Sequence, residues 1–349
     1  MKNLILPAVL FMAILSAASC GGSLPRADKS TMDRYEKACD KVFDDVWRGP
    51  GNVLHSLMVV DEGKVVYERW NVGFSPDQLQ VMWSVSKTFT AFAIGFAQQD
   101  GLLSTSDKVV SFFDEDMLPE NPHPWLEDLT IHDLLIMSSG LPDLTYEVLD
   151  NKVEDWGRSF LNSDFIFEPG HQFNYNSMNG YILSMIISKV TGQTMEDYLD
   201  EKLFAPLKIR DYHSLKSPQG FDAGGWGLYL STESLAKAGQ FFLQKGNWNG
   251  KQLLAQEWFD TASYPHIMQY TNLIEDPAVL ENLKDDQGFQ GYGYQMWNCT
   301  DGAVRMHGAN GQLAIIFPQQ NAVVVTTAFS SDEQKLLDSI WKNIYPLLL

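Results

Sequence analysis

The stretch Val81-Met82-Trp83-Ser84-Val85-Ser86-Lys87-Thr88-Phe89-Thr90-Ala91-Phe92-Ala93-Ile94-Gly95-Phe96-Ala97 sets a serine and a lysine three residues apart, then runs into an almost wholly apolar segment. Residues at i and i+3 share a helix face, so the Ser84 hydroxyl and the Lys87 amine can meet. The run from Phe89 to Ala97 is too short to cross a membrane and predicts a helix buried in a core. A serine at the start of such a helix sits where the dipole favours developing negative charge. A lysine enclosed in the same low-dielectric place has its charged form disfavoured and is available as a base. The pair is the chemistry of an activated serine nucleophile that needs no catalytic histidine.

Spacing alone does not decide this, because S-x-x-K recurs at Ser234-Leu235-Ala236-Lys237. Capping residues precede that copy and apolar positions follow at helical spacing, so it reads as an ordinary amphipathic surface helix. Buried context singles out Ser84.

Composition bounds the rest. A chain with 45% hydrophobic and 12% aromatic residues can fill a large core, and its net charge of −19 argues against nucleic acid or an anionic membrane surface as the main partner. Residues 1–19 read as a secretory signal: a basic start, an apolar core from Leu4 to Leu15, then small residues. Cys20 follows them as in a bacterial lipoprotein signal, so lipidation at Cys20 and a cell-envelope location are expected, with membrane contact through that anchor only. Residues 20–29 then read as a short tether. Cys39 and Cys299 are expected to be two unpaired buried thiols. The seven histidines are scattered and no H-E-x-x-H or zinc-type cysteine spacing occurs, so neither a metal nor a cofactor is expected.

Along the chain, Ser30 to Trp47 predicts an amphipathic helix, and His55–Val60 and Lys64–Trp70 predict a hairpin turning at Asp61-Glu62-Gly63. Residues 108–216 read as a helical subdomain, with Thr130 capping a short helix and Met178–Val190 forming an apolar one. Glu275 to Gln290 reads as an exposed acidic loop. Short strands at Tyr292–Trp297, Val304–Met306, Leu313–Phe317 and Ala322–Ala328 precede a final helix, Asp332 to Leu348. The expected fold is α+β: a mainly antiparallel sheet covered by helices, built from residues 30–107 and 217–349, with residues 108–216 inserted.

Three further segments join the first: Thr130-Ile131-His132-Asp133-Leu134-Leu135 through Leu141, Phe173-Asn174-Tyr175-Asn176-Ser177, and Met306-His307-Gly308-Ala309-Asn310-Gly311-Gln312. In this order the chain resembles the serine β-lactamase-like superfamily, and most the class C β-lactamase, esterase, D-aminopeptidase and 6-aminohexanoate-dimer hydrolase branch. The resemblance runs from about residue 50 to the C-terminus and implies a β-lactamase/transpeptidase-like fold. It maps S-x-x-K onto Ser84 and Lys87, Y-x-N onto Tyr175 and Ser177, and K-T-G onto Met306-His307-Gly308 with Ala309 next.

The resemblance implies that Ser84 forms an acyl-enzyme while Lys87 and Tyr175 share the proton. Lys87 is expected to favour the ionised phenol, and the backbone N–H groups of Ser84 and Ala309 to hold the oxyanion. Two positions depart from the family pattern. Ser177 replaces the substrate-contacting asparagine, with Asn174 and Asn176 as candidates to compensate. Met306 stands where a cation usually holds a substrate carboxylate, with His307 able to compensate if the register slips by one. The expectation is therefore a serine hydrolase acting on an uncharged small-molecule amide or ester. The alternative is a catalytically impaired penicillin-binding-like binding or sensor lipoprotein. A Ser-His-Asp esterase ranks last, because G-x-S-x-G is absent.

Overall fold

A computed structural model of the chain describes residues 22–46, 51–269, 279, 281, 283 and 286–349. The signal segment, Cys20 and much of the Glu275–Gln290 loop lie outside them.

The hairpin forms where the sequence places it. Strands β1 (Val53–Asp61) and β2 (Lys64–Trp70) are joined by Glu62 and Gly63, both at positive φ. Four late strands complete the sheet: β3 (Trp297–Asn298), β4 (Val304–Gly308), β5 (Gln312–Phe317) and β6 (Ala322–Phe329). The six strands run in the order β2-β1-β6-β5-β4-β3, every pair antiparallel. Because β1 pairs with β6, Val53 opposite Phe329, the two ends of the chain close one sheet.

Both faces of the sheet are covered, which explains why β1, β5 and β6 read as continuous apolar runs rather than alternating ones. On one face Leu57, Leu313, Ile315 and Val324 pack with Tyr35, Val42 and Phe43 of α1 (Lys29–Val46) and with the C-terminal Leu336 and Ile340. On the other, Met58, Met306, Ala314 and Val325 share one core with α2 (Ser86–Gln99), α3 (Ser177–Thr191) and α4 (Thr232–Leu243). The last long helix, α5 (Glu333–Asn343), is capped by Asp332 and lies beside α1. Residues 108–216 are mostly short helices around α3, which Asn176 caps and Gly192 ends at φ +70°.

Several regions differ from their sequence reading: the expected strand Tyr292–Trp297 is reduced to Trp297–Asn298 with isolated bridges at Tyr292, and the final helix breaks at Ile344. Helix α4 is not a surface helix: Thr232, Ser234, Lys237 and Gln240 are buried along with its apolar residues. It lies so close to the sheet that a Cβ on Gly239 would sit 2.7 Å from Val323. Partners reach Thr232 and Lys237, while Gln240 Oε1 is buried without one among the described residues. Thr232 bonds Ser56 at 2.7 Å, and Lys237 donates to Lys208 O at 3.0 Å. The segment read as a tether is docked over Leu24–Ala27. Ala27 N donates to Val65 O and Val65 N donates to Pro25 O, Leu24 is buried, and Arg26 pairs with both Glu68 and Glu233. Cys39 and Cys299 are free and buried.

Candidate active site

The turn ahead of α2 carries the serine. Trp83–Val85 is one turn of tight helix, and Trp83 adopts φ +46°, a conformation that costs a bulky residue about 1–3 kcal/mol. Neighbours pin it there. The Ser86 hydroxyl donates to Trp83 O at 2.6 Å and accepts from Leu228 N at 3.1 Å, while Met82 N donates to Leu228 O at 2.8 Å. The strained turn leaves Ser84 partly exposed at the surface of an otherwise buried helix start.

Lys87 lies one turn on, fully enclosed. Its amine reaches Ser84 Oγ at 2.8 Å, Ser177 Oγ at 3.1 Å and Gly225 O at 2.8 Å. Burial pulls its pKa down to about 7, against a smaller upward pull from Asp143. Gly225 is needed for this approach, since a Cβ there would collide with Ser177 O.

Tyr175 sits just before α3, with the Lys87 amine 4.8 Å from its ring centre. Its ring stacks on Trp297 at 5.6 Å and meets Tyr292 edge-on at 6.3 Å. Burial pushes the phenol well above its ordinary value; a hydrogen bond to Ser84 pulls the other way and is outweighed. The ionised phenol expected from the sequence is therefore disfavoured, and an amine with a pKa near 7 is too little charged to reverse that.

Strand β4 supplies the opposite wall. Gly308 abuts the serine turn so tightly that a Cβ would collide with Met82 O, and the exposed Ala309 follows it. Met306 faces the α2 side and is wholly buried in the core, so its position offers no charge. His307 points to the other face, where its Nε2 meets Glu333 Oε2 at 2.5 Å and its Nδ1 accepts from Arg305 Nε at 2.9 Å. It is engaged there and does not take the place of the missing cation.

Asn176 does not replace the family asparagine either. It is buried, capping Met178 N at 3.0 Å and donating to Leu141 O at 2.9 Å; Asn174 donates to the same carbonyl at 3.4 Å. Trp226, next to Gly225, is core, stacked on Trp156. Trp83 and Trp297 remain partly exposed near the serine turn and Tyr175. Sequence reading missed Gly225 O, Arg305 and Glu333. A buried arginine in an apolar strand was the one signal available. Among the described residues no cluster of His, Cys, Asp and Glu suits a metal ion.

Among curated relatives, an uncharacterised protein of Alkalihalophilus pseudofirmus is 24% identical over 281 residues, covering 71% of this chain and 72% of its own. Protein flp of Staphylococcus aureus (strain MW2) is 28% identical over 197 residues, 52% of this chain but only 39% of that protein. EstCE1, described as a hydrolase with promiscuous acyltransferase activity, superposes with a TM-score of 0.68 at 14% identity over 89% of this chain and 98% of its own. A D-stereospecific amidohydrolase from Streptomyces sp. does so with a TM-score of 0.62 at 16% identity, over 90% and 98%. At such identities these two establish the fold alone. The family model described as Beta-lactamase matches residues 40–344, taking in Ser84, Lys87, Tyr175 and the β4 wall, and the chain belongs to that family.

Proposed function

We propose that the protein is a serine hydrolase that cleaves an uncharged amide or ester through an acyl-enzyme on Ser84. The observation that carries this reading is the triple engagement of the buried Lys87 amine. A neutral amine has two hydrogens and one lone pair. Gly225 O can only accept, so one hydrogen goes there; the second goes to Ser177 Oγ. The lone pair is then left facing the Ser84 hydroxyl, the arrangement a general base requires.

In this mechanism Lys87 takes the Ser84 proton as the oxygen attacks the carbonyl carbon. The oxyanion is held by the N–H groups of Ser84 and Ala309. On collapse the proton passes to the leaving group, with the neutral Tyr175 O–H beside Ser84 as donor and Lys87 restoring it. Water then attacks the acyl carbon by the reverse path and frees Ser84. Tyr175, Phe173 and Trp297 form an aromatic wall, and the cation position holds Met306, so an apolar, uncharged substrate fits best.

The test is hydrolysis of a p-nitrophenyl ester by the parent and Ser84→Ala, both checked for folding. A burst followed by turnover in the parent alone supports the reading. Equal turnover in the variant sinks it, and acylation without release would favour the binding or sensor alternative. We further propose attachment to the cell envelope through Cys20, which incorporation of labelled fatty acid into the parent but not Cys20→Ala would support.

A further inference from the structure

Behind the β4 wall, on the sheet face away from Lys87, three charged or titratable side chains form a chain whose purpose the acyl-enzyme chemistry does not use. Arg305 is buried and, among the described residues, no carboxylate bonds it: Nη1 donates to Gln287 O and to Cys299 Sγ, and Nε donates to His307 Nδ1. His307 Nε2 meets one oxygen of Glu333, and the other oxygen accepts the backbone N–H of Asn310. Asn310 is the residue after Ala309 and sits at φ +65° in the turn between β4 and β5.

We propose that Arg305, His307 and Glu333 are positioning residues that hold the Ala309–Asn310 turn in register with Ser84, and that a proton on His307 releases it. The proposal rests on the reading of Ser84 as nucleophile and Ala309 as an oxyanion donor.

The proton order follows from the donors. An arginine guanidinium has only hydrogens to give, so His307 Nδ1 must carry its lone pair and the ring proton must lie on Nε2. That proton goes to Glu333, which as a carboxylate can accept it and the Asn310 N–H at once. Burial favours the neutral ring and Arg305 reinforces it, while Glu333 opposes both; the balance lowers the His307 pKa. For Glu333 burial pulls upward, but the bonds from His307 and Asn310 outweigh it and hold the carboxylate below its ordinary value.

The groups facing the ring are Arg305 on its own strand, Glu333 at the start of α5 and the Trp297 ring on β3, 6.1 Å away. Beyond them lie the Cys299 thiol on Arg305 and Tyr175 stacked on Trp297. A second proton would place Nδ1–H against Arg305 Nε–H, two donors and two positive charges across a 2.9 Å gap. The ring must then turn, and Glu333 loses the partner that aims it at Asn310.

Two variants test this in the full folded domain. Glu333→Gln keeps the shape but points an NH2 at either His307 or Asn310. It is expected to lower kcat about 10- to 100-fold with KM within about threefold, and to abolish the hydrogen-exchange protection of the Asn310 amide. His307→Gln keeps one acceptor for Arg305 and one donor for Glu333 but cannot titrate. Below the His307 pKa the parent's log(kcat/KM) is expected to steepen from a slope of one, set by Lys87, to two, with Asn310 protection lost over the same range; the variant stays at one and keeps its protection.

Parental kcat and Asn310 protection in Glu333→Gln, or identical acid limbs in the parent and His307→Gln, overturn the proposal. If His307→Gln does not fold, Glu333→Gln decides alone. Asn310 protection needs no turnover, so loss of the Ser84 reading and loss of this one are separable.

Discussion

The chain carries S-x-x-K three times, at Ser84, Ser234 and Ser339; the first two have buried lysines yet end in opposite situations. In both, burial lowers the lysine pKa: Lys87 in α2, and Lys237 in α4, where Glu233 pulls the other way. Ser84 lies in a strained turn just ahead of its helix, so its hydroxyl stands between the lysine amine and the cleft. Ser234 lies inside its helix, its backbone N–H and its hydroxyl both engaged by Ser231. Lys237 turns away and donates to Lys208 O. A depressed amine is thus common to both copies and does not by itself make a site. What differs is the register of the serine, two residues before the first residue of α2 against two residues after the first of α4, and the positive φ at Trp83 that maintains it.

That contrast can be broken experimentally. The largest expected effect is Ser84→Ala, a loss of about 10^4-fold or more in kcat against a change within about twofold for Ser234→Ala, measured on the same ester. Next comes Lys87→Met, expected to cost about 10^3-fold while Lys237→Met stays near parental turnover. Equal losses in the two lysine variants would mean that turnover reports folding rather than chemistry. Tyr175→Phe should cost about 100-fold, mainly with poor leaving groups such as amides, because only those need the phenolic proton.

In pH, kcat/KM should be half-maximal near 7 and fall about tenfold per unit below it, since the base must be neutral and its pKa is about 7. The smallest expected effect is on stability. Each lysine binds a proton more readily unfolded than folded, so stability rises with pH up to the ordinary lysine pKa, for Lys87 from about 7 and for Lys237 from its own lowered value. Lys87→Met and Lys237→Met should both flatten that rise in urea melts. The two variants would then share their effect on stability and part only on turnover.

Much of this was written locally in the sequence. The hairpin turn at Glu62-Gly63, the Thr130–Asp133 capping box and the αL stop at Gly192 are short-range chemistry. The pairing of Ser84 with Lys87 needs only a helix and a buried run. The parts not legible depend on partners distant in sequence. Helix α4 reads as amphipathic because its polar residues look solvated; they are buried because Ser56, Lys208 and Arg26 reach them or their neighbours. The docking of residues 24–27 depends on Glu233, which no local pattern links to Arg26. Glu333 and Arg305 escaped notice for the same reason: one is the first residue of α5 and the other sits mid-strand, and only the closed sheet sets them about His307.

The pairing of β1 with β6 also has a consequence in time. Ser84, the proposed nucleophile, belongs to the early part of the chain, but the strand that holds β1 in the sheet, and the β4 wall facing Ser84, come from the last fifty or so residues. Long-range closure of this kind makes folding slow, because loop entropy must be lost before non-local contacts reward it. A ribosome that has delivered Ser84, Lys87 and Tyr175 has therefore not yet delivered a site. The nascent chain is inert until β6 arrives, and nicks or truncations in the C-terminal strands should silence it as completely as loss of the serine.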